Sequence, residues 1–381
     1  MSSIKLFQPI EFGDVTLQHR VVMSPLSRFR ANAAHVNGDL SRQYYEQRAS
    51  VPGTLIISEG TLISAKAGGS PNAPGIWSED QIIHWKKIVD AVHAKGSFIY
   101  LQLWALGRAA YPAALVAEDP SFPYVSSGNV KLDDREETPR ALTIPEIKEY
   151  VEMYATAAAN SVHKAGFDGV EIHGANGFLP DQFLQTTANN RTDEYGGSIE
   201  NRIRFTLEVV DAVVKAVGGA QRVGLRLSPW SSYQGMYMKD PNPSFAALIT
   251  AIKRKHPTFG YLHVIHARVD GAAIREIKPE ENDDFLRQIW GDKIYLSCGG
   301  YTREDAIETA DKKGGLVVFG RSFISNPDLP LRLKKNYALA QPDYTTLYTA
   351  ESPKGYIDYP FYSEIEPETT TVSASGVTVK A

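Results

Sequence analysis

Gly169-Val170-Glu171-Ile172-His173-Gly174-Ala175-Asn176-Gly177-Phe178 is the stretch on which the reading of this chain turns. Val170 and Ile172 alternate against polar neighbours, the pattern of a short buried strand. The strand runs into glycines and Asn176, a turn that can set side chains on the rim of a pocket. His173 and Asn176 each carry a hydrogen-bond donor, and both can converge on one electronegative atom. An anion or a carbonyl oxygen at the end of a strand fits that pair. A capped strand end with a satisfied core histidine fits it too, and the rest of the chain decides.

Working outward, short apolar runs alternate with longer amphipathic stretches, as a parallel sheet with crossover helices requires. The runs are 21–23, 54–58, 98–103, 169–173, 223–227, 261–265, 294–298 and 316–319, and eight closes a barrel. Helices are expected over 79–95, 143–164, 198–217, 243–255, 281–290 and 303–312. Ser78 with Gln81 and Thr143 with Glu146 read as capping boxes, and Gly166 as a C-cap. The segment 6–20 turns at Gly13-Asp14 and reads as a hairpin cap. The Pro-, Ser- and charge-rich segment 109–139 reads as a long excursion after the third strand. The expected fold is α/β, a (β/α)8 TIM barrel forming one domain over residues 1–362. A disordered tail, rich in Glu, Thr, Ser and Val, is expected over 363–381.

Composition narrows the function. A chain of 381 residues at 43% hydrophobic content can bury a large core. No apolar run approaches a membrane span and the N-terminus lacks an apolar signal core. With a net charge of −4 and no basic cluster, no nucleic-acid face is expected. One cysteine, Cys298, excludes an internal disulfide and argues against a cysteine-based metal site. A cytoplasmic protein, monomeric or homodimeric, is the expectation.

In a parallel barrel the reacting groups lie at the C-terminal ends of the strands, and the polar residues follow that geography. Ser27 and Arg28 follow strand one, Glu59-Gly60-Thr61 strand two, and Gln102 and Trp104 close strand three. Arg226 sits late on strand five. Gly299-Gly300 and Gly320-Arg321 follow strands seven and eight, where backbone N–H groups and an arginine can hold a phosphate. Arg226 could neutralise negative charge on an electron-poor ring, or form a buried ion pair, and Gln102 could bond a polar ring edge. His263 and His266, three apart on strand six, face opposite sides and read as structural.

These residues fall within longer motifs: 25–31, 44–49, 102–104, 173–177, 190–202, 225–229, 319–329 and 355–360. Together they resemble the Old Yellow Enzyme family, FMN-dependent NADPH dehydrogenases that reduce activated alkenes on an eight-fold barrel. The resemblance implies FMN contacts at Pro25, Ser27, Gly60, Gln102 and Arg226, with the phosphate end at Gly299, Gly300, Gly320 and Arg321. It implies that His173 and Asn176 hold the carbonyl oxygen of an α,β-unsaturated aldehyde or ketone, that Trp104 and the rim aromatic Tyr348 border the substrate, and that NADPH is the reductant. One position departs: where the family usually has the tyrosine that donates a proton to substrate, this chain has Phe178. A Phe form is similar to the family's fungal ergot-alkaloid branch, so isomerisation of an enal stands as an alternative to net reduction, and a non-catalytic flavoprotein as another.

Overall fold

The computed structural model describes residues 4–271 and 273–362. Eight parallel strands, labelled β1 to β8, close into a barrel in chain order: Val21–Met23, Leu55–Leu62, Phe98–Trp104, Gly169–Gly174, Val223–Leu227, Tyr261–Ile265, Tyr295–Cys298 and Leu316–Phe319. The barrel helices α1 to α8 are Asp39–Arg48, Glu79–Ala94, Ile144–Ala159, Ile199–Val217, Asn242–Lys255, Asp284–Trp290, Arg303–Lys313 and Leu329–Lys335. β8 pairs with β1 through Val318 and Val22, which completes the ring.

Local chemistry starts and stops these elements as expected. Ser78 and Thr143 each make a complete capping box, with Gln81 and Glu146. Two of these eight barrel helices, α1 and α8, lie outside the expected ranges. α1 buries Ser41, Tyr44, Tyr45 and Arg48, a polar and aromatic face, and α8 is only seven residues long. The third helix gives way at Asn160 to a π-helical segment, Asn160–Ala165, that ends on left-handed Gly166 (φ 84°). β2 is also longer than expected. It continues past Ser58 through a bulge between Ile57 and Gly60, because Ser58 and Thr61 hydroxyls both donate to the Glu59 carbonyl, so the polar run is satisfied inside the sheet.

The N-terminal hairpin, Ile10–Phe12 against Val15–Leu17, turns on Gly13 at φ 56°. Phe12 enters the barrel floor with its ring 5.4 Å from those of both Tyr100 and Tyr261, among Leu17, Leu55, Leu296 and Leu316. The floor is thereby closed with carbon, and polar groups inside the barrel are confined to the other end. The segment after β3 is a long excursion, as expected, but a structured one. It carries a helix, Pro112–Glu118, and a two-residue strand pair, Val125–Ser126 with Arg140–Ala141. The tail expected over 363–381 lies outside the described residues.

Phe12→Ala should destabilise the fold by about 3–5 kcal/mol, since it empties a fully buried aromatic site. Urea denaturation measures this, and a loss below about 1 kcal/mol would show that the hairpin is not part of the core.

Candidate active site

Alternate residues of each strand face the barrel interior, and register decides which meet. Gln102 on β3 pairs with Glu171 on β4, and His173 on β4 pairs with Arg226 on β5, which pairs in turn with His263 on β6. Above the hydrophobic floor this makes a polar layer. Gln102 Nε2 donates to Glu171 Oε1 at 2.8 Å, and His263 Nδ1 lies 2.8 Å from Glu171 Oε2. Arg226 reaches toward Cys298 Sγ at 3.9 Å. Burial opposes charge on Glu171 and His263, but pairing wins. Glu171 is held below and His263 above its ordinary value, each chiefly by the other. Burial works against ionised Cys298 as well, yet His263 and Arg226 bring its thiol down to about 7.

His173 sits at the upper edge of this layer. Burial, then the nearby Arg226 and His263, push its imidazole well below the usual value, so it is neutral and has one N–H to offer. The chain then turns sharply through two left-handed residues, Asn176 (φ 57°) and Gly177 (φ 74°). Two hydrogen bonds fix this turn, Asn176 N donating to Ser228 Oγ at 2.8 Å and Gly177 N to Asp181 Oδ2 at 2.9 Å, and a Cβ on Gly177 would stand 2.8 Å from Gln234. Phe178 packs edge-on against Trp104 (5.0 Å between centroids) and His173 (4.7 Å). It reaches the mouth as a carbon-only ring.

Around the barrel, Gly300 (φ 64°), Gly320 and Arg321 line a separate hollow of about 260 Å³ with Tyr301, Ile274 and Tyr344. Arg321 approaches the Tyr344 hydroxyl at 3.4 Å. Buried Pro25 and half-buried Ser27 follow β1, the strand between this hollow and the Gln102 side. Arg28 and Arg30 donate to the Leu347 carbonyl, and Arg28 also to that of Gly355, which pins the C-terminal segment at the mouth. Exposed Tyr348 thus stands on the rim, 5.6 Å from the ring of Phe29.

The structure brings His173, Asn176, Phe178, Trp104, Gln102 and Arg226 to one end of the barrel. It gives other reasons for three residues. A Cβ on Gly60 would come within 2.9 Å of the Trp104 indole, and one on Gly299 within 2.6 Å of His266, while the Gly299 carbonyl accepts from Arg268. Arg28, read as a mouth residue, is fully buried against the C-terminal segment. His263, read as structural, is buried in the polar layer against Glu171. Sequence reasoning missed Glu171 and Asp181. For Glu171 the signal was present, as the charge between Val170 and Ile172 on a strand whose apolar side chains face the helices. A larger surface hollow of about 470 Å³ holds none of these residues. Its arginines are already paired, Arg140 with Glu146 at 2.7 Å and Arg191 with Asp193 at 2.6 Å, so residues rather than volume locate the chemistry.

Unpaired buried donors test whether the end of the barrel suits a flat polar ligand with a phosphate. Arg226 Nε, Trp104 Nε1 and His173 Nδ1 are buried without a protein partner among the described residues. A flavin ring with its carbonyl and N–H edge suits such a layer, and the glycine-lined hollow with Arg321 suits a phosphate. The residues fit FMN.

Comparison with known proteins agrees. Residues 5–340 match the NADH:flavin oxidoreductase / NADH oxidase family. The chain is 47% identical to chanoclavine-I aldehyde reductase fgaOx3 of Penicillium roqueforti over 95% of this chain and 98% of that one. It is 49% identical to a probable inactive reductase, easA, of Epichloe festucae var. lolii, over 96% of this chain and 97% of that one. Its fold matches the structure of morphinone reductase with a TM-score of 0.86, at 41% identity over 95% of this chain and 98% of the other.

Asp181 gives the site a pH dependence. It is fully buried, accepts from Gly177 N and from Gln185 Nε2 (2.7 Å), and burial pushes its carboxyl up to about 7. A carboxyl raised in the folded state stabilises the fold fully at about pH 4 and loses that contribution as pH climbs through about 7. Asp181→Asn should therefore gain stability relative to the wild type across that window, on the order of 1.4 kcal/mol per pH unit. Paired thermal melts between pH 4 and 8 measure it, and a stability difference that does not change with pH would rule out a buried, largely protonated Asp181.

Proposed function

We propose, for a chain that belongs to the NADH:flavin oxidoreductase / NADH oxidase family of Old Yellow Enzyme, that it uses NADPH to reduce the C=C bond of α,β-unsaturated aldehydes or ketones. The family's cofactors are FMN and a nicotinamide nucleotide. Gln102, Arg226, Pro25 and Ser27 would hold the FMN ring above the polar layer, and Gly300, Gly320 and Arg321 would hold its phosphate. Gly60 and Gly299 would support it from behind. Bound FMN supplies the two-electron chemistry that links NADPH to the alkene.

The observation that supports this reading is the end of β4, where neutral His173 lies in register with Arg226 and the left-handed turn at Asn176 follows at once. Two neutral donors on one carbonyl oxygen draw electron density from the alkene and stabilise enolate charge as it develops. Neutrality matters because a donor without charge can still release the product oxygen. Arg226 places a fixed positive charge under the ring, where reduction adds electrons. Trp104 and Phe178 exclude water from the substrate side, and Tyr348 narrows the rim.

Phe178 favours a second reading. Its ring meets Trp104 and His173 but carries no transferable proton, so an enolate formed here waits for one. An enolate that persists can rotate about the former double bond and give its hydride back, so the net outcome is isomerisation of an enal. Retained FMN binding with loss of turnover would be a third outcome.

Phe178→Tyr adds one hydroxyl at the same ring. A positioned general acid contributes about 10²–10⁴-fold, so the variant should reduce a simple enone faster by a factor in that range. Stopped-flow absorbance separates the half-reactions: reduction by NADPH should match in both proteins, while reoxidation by the enone speeds up in the variant. Equal reoxidation rates would mean that another donor already serves. Product analysis of the wild type with an enal, under excess and catalytic NADPH, divides the two readings. Stoichiometric consumption means reduction, and rearranged enal at catalytic NADPH means isomerisation.

A further inference from the structure

Glu171 lies inside the barrel with no exposure, and both its oxygens are engaged, one by Gln102 Nε2 and the other by His263 Nδ1, each at 2.8 Å. It is the middle member of the polar layer and lines no part of the substrate mouth. Gln102 is itself nearly fully buried, and its backbone N–H is fixed on Ser58 Oγ at 3.0 Å. A side-chain amide has a donor edge and an acceptor edge that are nearly equal in shape, so packing alone does not choose between its two orientations. An ionised carboxylate only accepts. Facing Glu171, the amide must point its NH₂ group inward, which leaves its carbonyl oxygen on the opposite edge.

We propose that Glu171 is a positioning residue for the cofactor: it selects the orientation of the Gln102 amide, so that Gln102 meets the FMN ring as a hydrogen-bond acceptor. The inference rests on the placement of FMN over the polar layer given above. The ring edge of FMN carries one N–H, at N3, between two carbonyls, and an acceptor in a fixed orientation recognises that N–H. His263 supports the selection from the far side. With its Nδ1 engaged by the same carboxylate, and Glu171 held below its usual carboxylate range, the acceptor stays ionised under a buried ring. Without Glu171 the amide is free to turn, and one side of the ring edge loses its matched partner.

The test reads cofactor affinity rather than turnover. Apoprotein is titrated with FMN and with FMN methylated at N3, following the quenching of flavin fluorescence. A single net hydrogen bond corresponds to about tenfold in affinity. Wild type should prefer FMN by at least about tenfold, Glu171→Gln should bring the ratio to within about threefold, and Gln102→Leu should do the same. Neutron diffraction of the deuterated wild-type holoprotein needs no variant, and should place two deuterons on the Gln102 edge facing Glu171. A wild-type ratio near one, or deuterons on the ring-facing edge of Gln102, would overturn the proposal. A preference lost in Gln102→Leu but kept in Glu171→Gln would overturn the role of Glu171 and leave the FMN placement standing. FMN binding unchanged in both Gln102→Leu and Arg226→Ala would instead overturn the placement itself.

Discussion

Closing eight parallel strands into one ring forces every second side chain of each strand into a shared interior, and that constraint organises everything else here. The interior can be filled with carbon or with polar groups that satisfy one another, but not with a mixture left unpaired. This chain divides the two by height. Phe12 from the hairpin seals the floor together with Tyr100 and Tyr261. Gln102, Glu171, Arg226 and His263 form the next layer, and the pairing of Glu171 with both Gln102 and His263 keeps that layer from being a cost to the fold. A barrel built this way presents fixed donors, an acceptor and a cation at one end without moving any backbone.

The turn after β4 follows from the same arrangement. His173 is carried in register beside Arg226, and the two left-handed residues after it bend the chain across the mouth. Ser228 from β5's end and Asp181 from the following helix each take one backbone N–H of that turn. Position 178 then falls where its ring touches both Trp104 and His173. The ring carries no transferable proton, and its contacts there are aromatic. Two relatives at nearly the same identity carry different names, one an aldehyde reductase and the other a probable inactive reductase.

The strands were legible because the barrel needs short, buried, outward-facing apolar runs, and those have no other good reading at this spacing. Helices such as Glu79–Ala94 were legible through period and caps, while Asp39–Arg48 was not, because its buried face is made of Tyr44, Tyr45 and Arg48 rather than aliphatic residues. The candidate site was legible where a residue type is unusual for its place, as with His173 and Arg226 in buried strands or Asn176 in the turn. It was not legible where partnership decides the role. Nothing in the sequence distance between Gln102, Glu171 and His263 says that they meet, and nothing in the sequence shows that Trp104 and His266 crowd the Cβ positions of Gly60 and Gly299.

We propose that His173 and Asn176 together receive a substrate oxygen at the barrel mouth. The most direct measurement is calorimetric titration of FMN-loaded wild type and the His173→Ala/Asn176→Ala double variant with a simple phenol, a stable stand-in for a substrate enolate oxygen. Loss of one donor to an oxyanion has cost about 3–4 kcal/mol in a hydrolase, so phenol affinity should fall by at least about a hundredfold while the flavin content stays the same. Unchanged phenol affinity in the double variant would contradict the account.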